Sequence, residues 1–220
     1  MRLIKMFGLA LVAAAAVMAF VGATSASAIT ELEEVVNCKV KTDPCPAGST
    51  WGANTILDGE ATDPVLLSSL GTILCASSAT GGTQTTALAH GTIESLSFTT
   101  CTLGKTSCTV SPEHLNYLVL VLLDTAMDGG YHAVVSSGGG GNPQAHVVCG
   151  SLVDCTFGAA EVLFSVELME HDTLWIVNQA LSRTGGICPS TSTWQATYLV
   201  RCLNPANTFV DCFPKMHPVA

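Results

Sequence analysis

EVLFSVELME, residues Glu161 to Glu170, sets Val162, Phe164, Val166 and Leu168 on one side of an extended chain and Ser165 and Glu167 on the other. A period of two belongs to a strand with one buried face, because successive Cβ atoms of extended backbone point to opposite faces. The same character continues outward in both directions. Thr92 to Thr99 alternates Leu96 and Phe98 with Ser95 and Ser97, and Trp194 to Val200 puts Trp194, Ala196, Tyr198 and Val200 on a shared face. Tyr131 to Ser136 and Thr173 to Leu181 read as further strands, and Leu118 to Leu123, apolar at every position, reads as a strand buried on both sides. Asp128-Gly129-Gly130 and Gly138 to Gly141 with Asn142-Pro143 punctuate these runs; the four glycines read as a flexible loop tip. Many short strands between Gly, Pro and Ser turns predict an all-β fold, an antiparallel sandwich or barrel, with an Ig-like or Greek-key β-sandwich as the leading form. Helix is expected only at Thr30 to Val36, where Thr30 and Glu33 have capping-box spacing; an irregular arm is the alternative there.

The N-terminus reads as an export signal. Arg2 and Lys5 precede an apolar run from Met6 to Val21, and small residues at Ala26 and Ala28 predict cleavage after Ala28. That run is shorter than the roughly 20 residues a membrane-spanning helix needs. The first cysteine, Cys38, stands too far beyond the cut to carry a lipid anchor. The expected organisation is a signal peptide over 1–28 and one secreted β-rich domain over 29–220. Within it, 29–74 forms an arm and first strands, 75–200 the core and 201–220 a tail.

Removal of Arg2 and Lys5 leaves 6 basic residues against 17 acidic ones, a net charge of -11 with histidines neutral. Nucleic acid is a poor partner for such a surface, as is an anionic membrane, and no stable membrane insertion is expected after cleavage.

All 10 cysteines lie downstream of the signal. An even number in an exported chain implies disulfides, here up to five. Spacing suggests four local, hairpin-closing bridges: Cys38–Cys45, Cys101–Cys108, Cys149–Cys155 and Cys202–Cys212. Cys75 and Cys188 then form a long-range fifth. A metal site built on His146, Cys149 and Cys155 is the competing use of these residues, but no C-x-x-C pair occurs anywhere. A thioredoxin-like role fails on the same ground.

No catalytic, cofactor-binding or metal-binding residue emerges from motif spacing. The chain has no G-x-S-x-G elbow, and none of His90, His114, His132, His146, His171 and His217 belongs to an H-E-x-x-H pair. Glu170-His171-Asp172 reads as a solvated turn, Glu31, Glu33 and Glu34 as a charged arm. Asp124 and Asp128 lack the remaining ligands of a calcium loop. Trp51, Trp175 and Trp194 with Tyr117, Tyr131 and Tyr198 either fill a core or offer a sugar-stacking face.

Three segments carry a likeness: GTIESLSFTTCT from Gly91 to Thr102, TSCTV from Thr106 to Val110, and LSRTGGICPSTSTWQATYLV from Leu181 to Val200. The chain resembles a group of small, exported, uncharacterised actinobacterial proteins over roughly Cys75 to Val200. The resemblance implies a signal peptide, a strand-rich domain and paired cysteines, and no activity. Cys38, Cys45, Cys202, Cys212 and the tail after Val200 depart from the group's pattern.

These features favour a non-catalytic extracellular structural or binding module, with a cell-envelope or glycan ligand as the open partner class. A secreted hydrolase whose site forms only in three dimensions and a carbohydrate-binding domain are the alternatives.

Overall fold

The computed structural model describes residues 32–33, 35–124, 130–151, 153–170, 172–203 and 208–216. The expected signal peptide and its cleavage point lie outside them, as do Thr30, Glu31, Glu34, Asp128, His171 and His217. Two short strands, β1 (Leu32–Glu33) and β2 (Val35–Cys38), precede eight staves. The first is β3 (Ile56–Thr62) running into β4 (Val65–Ser68), the second β5 (Gly71–Leu74) into β6 (Ser77–Gln84), the third β7 (His90–Thr99) into β8 (Cys101–Leu103). The fourth is β9 (Thr106–Glu113) into β10 (Tyr117–Asp124), the fifth β11 (Gly130–Ser136) into β12 (Gln144–Cys149), the sixth β13 (Val153–Gly158) into β14 (Glu161–Leu168). Two unbroken strands, β15 (Thr173–Gly186) and β16 (Thr191–Leu203), are the seventh and eighth, followed by β17 (Phe209–Asp211) and β18 (Phe213–Met216).

Each stave pairs antiparallel with its neighbours in the chain, and the eighth returns to the first through Leu199↔Glu60 and Thr193↔Leu67. The sheet therefore closes on itself. All-β, antiparallel and disulfide-stapled, the fold has the expected class. Its connections form a meander with no Greek-key crossover, so of sandwich and barrel the pairing selects an up-and-down barrel, which leaves no long edge unpaired.

Several staves bend midway, and the bends coincide with non-glycine residues in the left-handed region: Asp63 (φ 50°), Thr100 (φ 48°), His114 (φ 60°) and Asn116 (φ 69°). Where a bend interrupts the ladder, side chains take over. Between the sixth and seventh staves the Leu163 amide donates to Gln179 Oε1 at 2.7 Å, and Gln179 Nε2 donates to the Glu161 carbonyl at 2.7 Å. One side-chain amide thus stands in for a missing pair of backbone bonds.

The glycine run is not a loose tip. A Cβ on Gly138 would lie 1.7 Å from the Asn116 carbonyl oxygen, and one on Gly141 (φ 129°) would lie 2.7 Å from His114 Nδ1. Glycine is needed there because the fifth stave crosses the bend of the fourth at backbone contact distance. Leu118 to Leu123 likewise departs from expectation: Val119, Val121 and Leu123 point inward and Leu122 is buried, but Leu118 is 51 % exposed. Thr30 to Val36 contributes strands, not helix, in its described part.

One end of the barrel carries a cap. β2 pairs with β18, bringing the tail back to the arm, and Val35 accepts a bond from the Ala89 amide at 2.7 Å. Gln84, fully buried, accepts from Asn37 Nδ2 at 2.9 Å and donates to the carbonyls of Trp51 and Thr86. Lys215 lies 5.9 Å from the centre of the Tyr131 ring and 3.9 Å from the Asp43 carboxylate.

All ten cysteines are bridged. Cys38–Cys45 and Cys202–Cys212 sit at the capped end, as the spacing predicts. The other three expected pairs are replaced by Cys75–Cys101, Cys108–Cys149 and Cys155–Cys188, which run around the opposite rim. Register explains the change. Cys149 stands opposite Val153 and Cys155 opposite Val147, so that hairpin never juxtaposes its cysteines. Cys108 stands opposite both Cys101 and Cys149. An antiparallel residue hydrogen-bonds one neighbour and meets the other unbonded and closer, where side chains approach best. Cα separations of 3.8 Å for Cys75–Cys101 and 4.1 Å for Cys108–Cys149 mark these as the close pairs. The Cys75 amide points the other way, to the Pro64 carbonyl at 3.0 Å.

Five bridges suit an oxidising extracellular environment. Among the described residues no helix is long and apolar enough to cross a membrane.

Candidate functional site: the barrel lumen

Eight staves enclose an interior wide enough either to be filled by side chains or to hold one small ligand. Here both occur. The inward residues of β10, β11 and β14 pack towards the cap, while those of β9, β12 and β13 pack with the cystines towards the other rim. Between them lies a cavity of about 120 Å³.

An aromatic group forms much of its wall. Phe164 sits at the centre, 5.9 Å from Trp175, 5.8 Å from Trp194 and 6.3 Å from Tyr198 between ring centroids, and Phe98 meets Trp194 at 6.5 Å. The contacts are tilted or edge-to-face, the arrangement that ring quadrupoles prefer. Strand period two delivers these side chains inward: Phe164 with Val162 and Val166, Trp194 with Ala196, Tyr198 and Val200. Gly59 keeps the wall open, since a Cβ there would meet Thr80, Tyr198 and Val200.

The two tyrosines in the lining turn their hydroxyls to the protein. Tyr198 shares a 2.8 Å bond with Ser78, and the Tyr117 hydroxyl donates to the Glu113 carbonyl, with the Gln144 carbonyl at 3.3 Å. Burial pushes the ionisation of both phenols up. The indole N–H of Trp194 is enclosed by side chains and has no partner. The lumen therefore presents hydrocarbon and ring faces and almost no polar atom.

The other candidate residues lie elsewhere. His146 and Asp154 form a 2.7 Å pair on the outer surface, and the thiols of Cys149 and Cys155 are consumed in bridges to Cys108 and Cys188. Among the described residues no cluster of three potential metal ligands forms. Met169 and Asp172 close the expected turn around Glu170 with a 2.8 Å backbone bond. Asp124 ends β10 opposite Gly130, while Asp128 lies outside the described residues. Trp51 is buried against the Cys202–Cys212 bridge with Lys39 5.3 Å from its ring, so the three tryptophans make no outer-face platform.

Among the described residues the Asp58 carboxyl is raised first by burial and then by Glu60, and drawn down by Arg201 directly opposite. Asp58 and Glu60 stand two residues apart on the outer face of a single strand. Strand alternation alone does not bring Phe98, Phe164, Trp175 and Trp194 together; their convergence needs the closed ring of staves. Comparison with protein-family models, with curated proteins and with solved structures gives no match.

Proposed function

We propose that this chain is an exported, non-catalytic binding module whose barrel lumen takes up a small apolar molecule at or beyond the cell envelope. The observation that carries the reading is the aromatic-walled cavity of about 120 Å³ inside a closed, stapled barrel. A rigid wall favours binding, because little conformational entropy is lost when the guest enters. The N-terminal segment, with its basic start, apolar run and small residues before Ala28, supports secretion through a cleaved signal peptide. The acidic surface argues against nucleic acid as a partner. The likeness of roughly Cys75 to Val200 to small exported actinobacterial proteins supports a bacterial, envelope-associated role.

The hydrolase reading draws less support, since Asp58 and Glu60 face the same way from one strand instead of flanking a cleft. A glycan ligand at an outer face would have to be held without tryptophan.

The test uses the oxidised, exported protein and toluene. A ligand at ten times its Kd stabilises the native state by about 1.4 kcal/mol, which raises Tm by roughly 3–6 °C for a chain of this size. Val119→Phe, which fills the lumen from β10, is expected to abolish that shift while keeping a cooperative melt. An unshifted Tm with toluene in the native protein sinks the lumen as a binding place.

A further inference from the structure

We infer that the lumen selects a single-ring hydrocarbon, a guest with no hydrogen-bonding group, and rejects rings of the same shape that carry one. The inference rests on the lumen being the binding place and concerns what chemistry it accepts.

The argument comes from where the polar atoms of the wall point. A buried hydroxyl or carbonyl on a guest needs a partner, or its desolvation cost stays unrecovered. The polar side chains that border the wall are committed to the protein: Thr80 donates to the Ser95 carbonyl, Thr92 to the Glu94 carboxylate, and Gln144 Nε2 bonds His114 Nδ1. The Tyr198 hydroxyl is held by Ser78 at 2.8 Å, and the Tyr117 hydroxyl is directed to the Glu113 and Gln144 carbonyls. Trp194 Nε1 is buried and unpartnered, with essentially no surface open to a water-sized molecule. What remains towards the cavity are the faces and edges of Phe98, Phe164, Trp175 and Trp194 and the methyls of valines such as Val119. Such a wall rewards dispersion and ring quadrupoles and nothing else.

Size narrows the class further. An apolar cavity of roughly 150 Å³ stays dry and admits benzene, so about 120 Å³ matches one ring and not two. Shape and the absence of polar partners together define the ligand as a benzene- or toluene-like molecule.

The experiment compares toluene, phenol and naphthalene as probes, by calorimetry on the oxidised native protein. Toluene and phenol share one shape and differ in the hydroxyl. The expected result is toluene binding, phenol weaker by roughly a hundredfold or more, and naphthalene excluded. Phenol matching toluene overturns the inference while leaving the lumen as a binding place. Failure of all three probes in the native protein removes the lumen reading itself, and the inference with it.

Discussion

Gly138 has an ordinary place in the sequence, one of four consecutive glycines, and an exceptional one in the barrel. Its missing side chain lets the fifth stave pass within backbone contact of Asn116, whereas Gly139 next to it faces open space. Gly138→Ala is expected to cost about 3 kcal/mol through overpacking against rigid backbone, read as a Tm lower by roughly 6–12 °C. Gly139→Ala is expected to stay within about 0.5 kcal/mol of native. A second prediction at this scale concerns the buried phenols. Tyr117 and Tyr198 both ionise at higher pH in the folded chain than in the unfolded one. Below the unfolded value of about 10 both states hold the proton and the full stability is present. Above it the unfolded chain releases protons that the folded chain keeps, so stability falls as pH rises. A spectrophotometric titration should therefore find Tyr117 and Tyr198 ionising above the range of the unfolded chain. Free titration of both in a folded protein at pH 10 would contradict their burial.

At the level of strands, the cystines report which staves are neighbours. Peptide mapping without reduction is expected to give Cys75–Cys101, Cys108–Cys149 and Cys155–Cys188; Cys149–Cys155 would require a different register, and Cys101–Cys108 would take from Cys149 the partner that faces it. The sequence made the strands themselves legible, because Val162, Phe164 and Val166, and Trp194 to Val200, announce their buried faces by alternation. It did not reveal β3 to β6, where Gly59, Gly81 and Gly82 and a run of Ser and Thr replace the apolar face that alternation needs. Nor could spacing choose the bridges. Proximity in the chain says that Cys101 and Cys108 flank a turn, but only the ladder says which neighbour each meets on its unbonded side.

For the whole molecule, closure is what creates the cavity. A set of half-buried strands becomes a container only when the eighth stave finds the first, and that contact between β16 and β3–β4 joins segments far apart in the chain. No local pattern encodes it. Once closed, the same inward alternation that reads as core in Trp194, Tyr198 and Phe164 supplies a ring-lined cavity instead of a filled one. The three cystines at one rim and the Asn37–Gln84 bond beneath the cap at the other hold the two ends of that container. The composition of the chain accords with this division, since the polar and acidic residues fall mainly on the outside and the aromatics within.

The most direct measurement is a crystal structure of the oxidised protein under xenon pressure. The account predicts eight staves in one closed sheet and xenon in the lumen, beside Phe164 and Trp194. Two separate facing sheets, or an interior packed solid with no xenon, would contradict it.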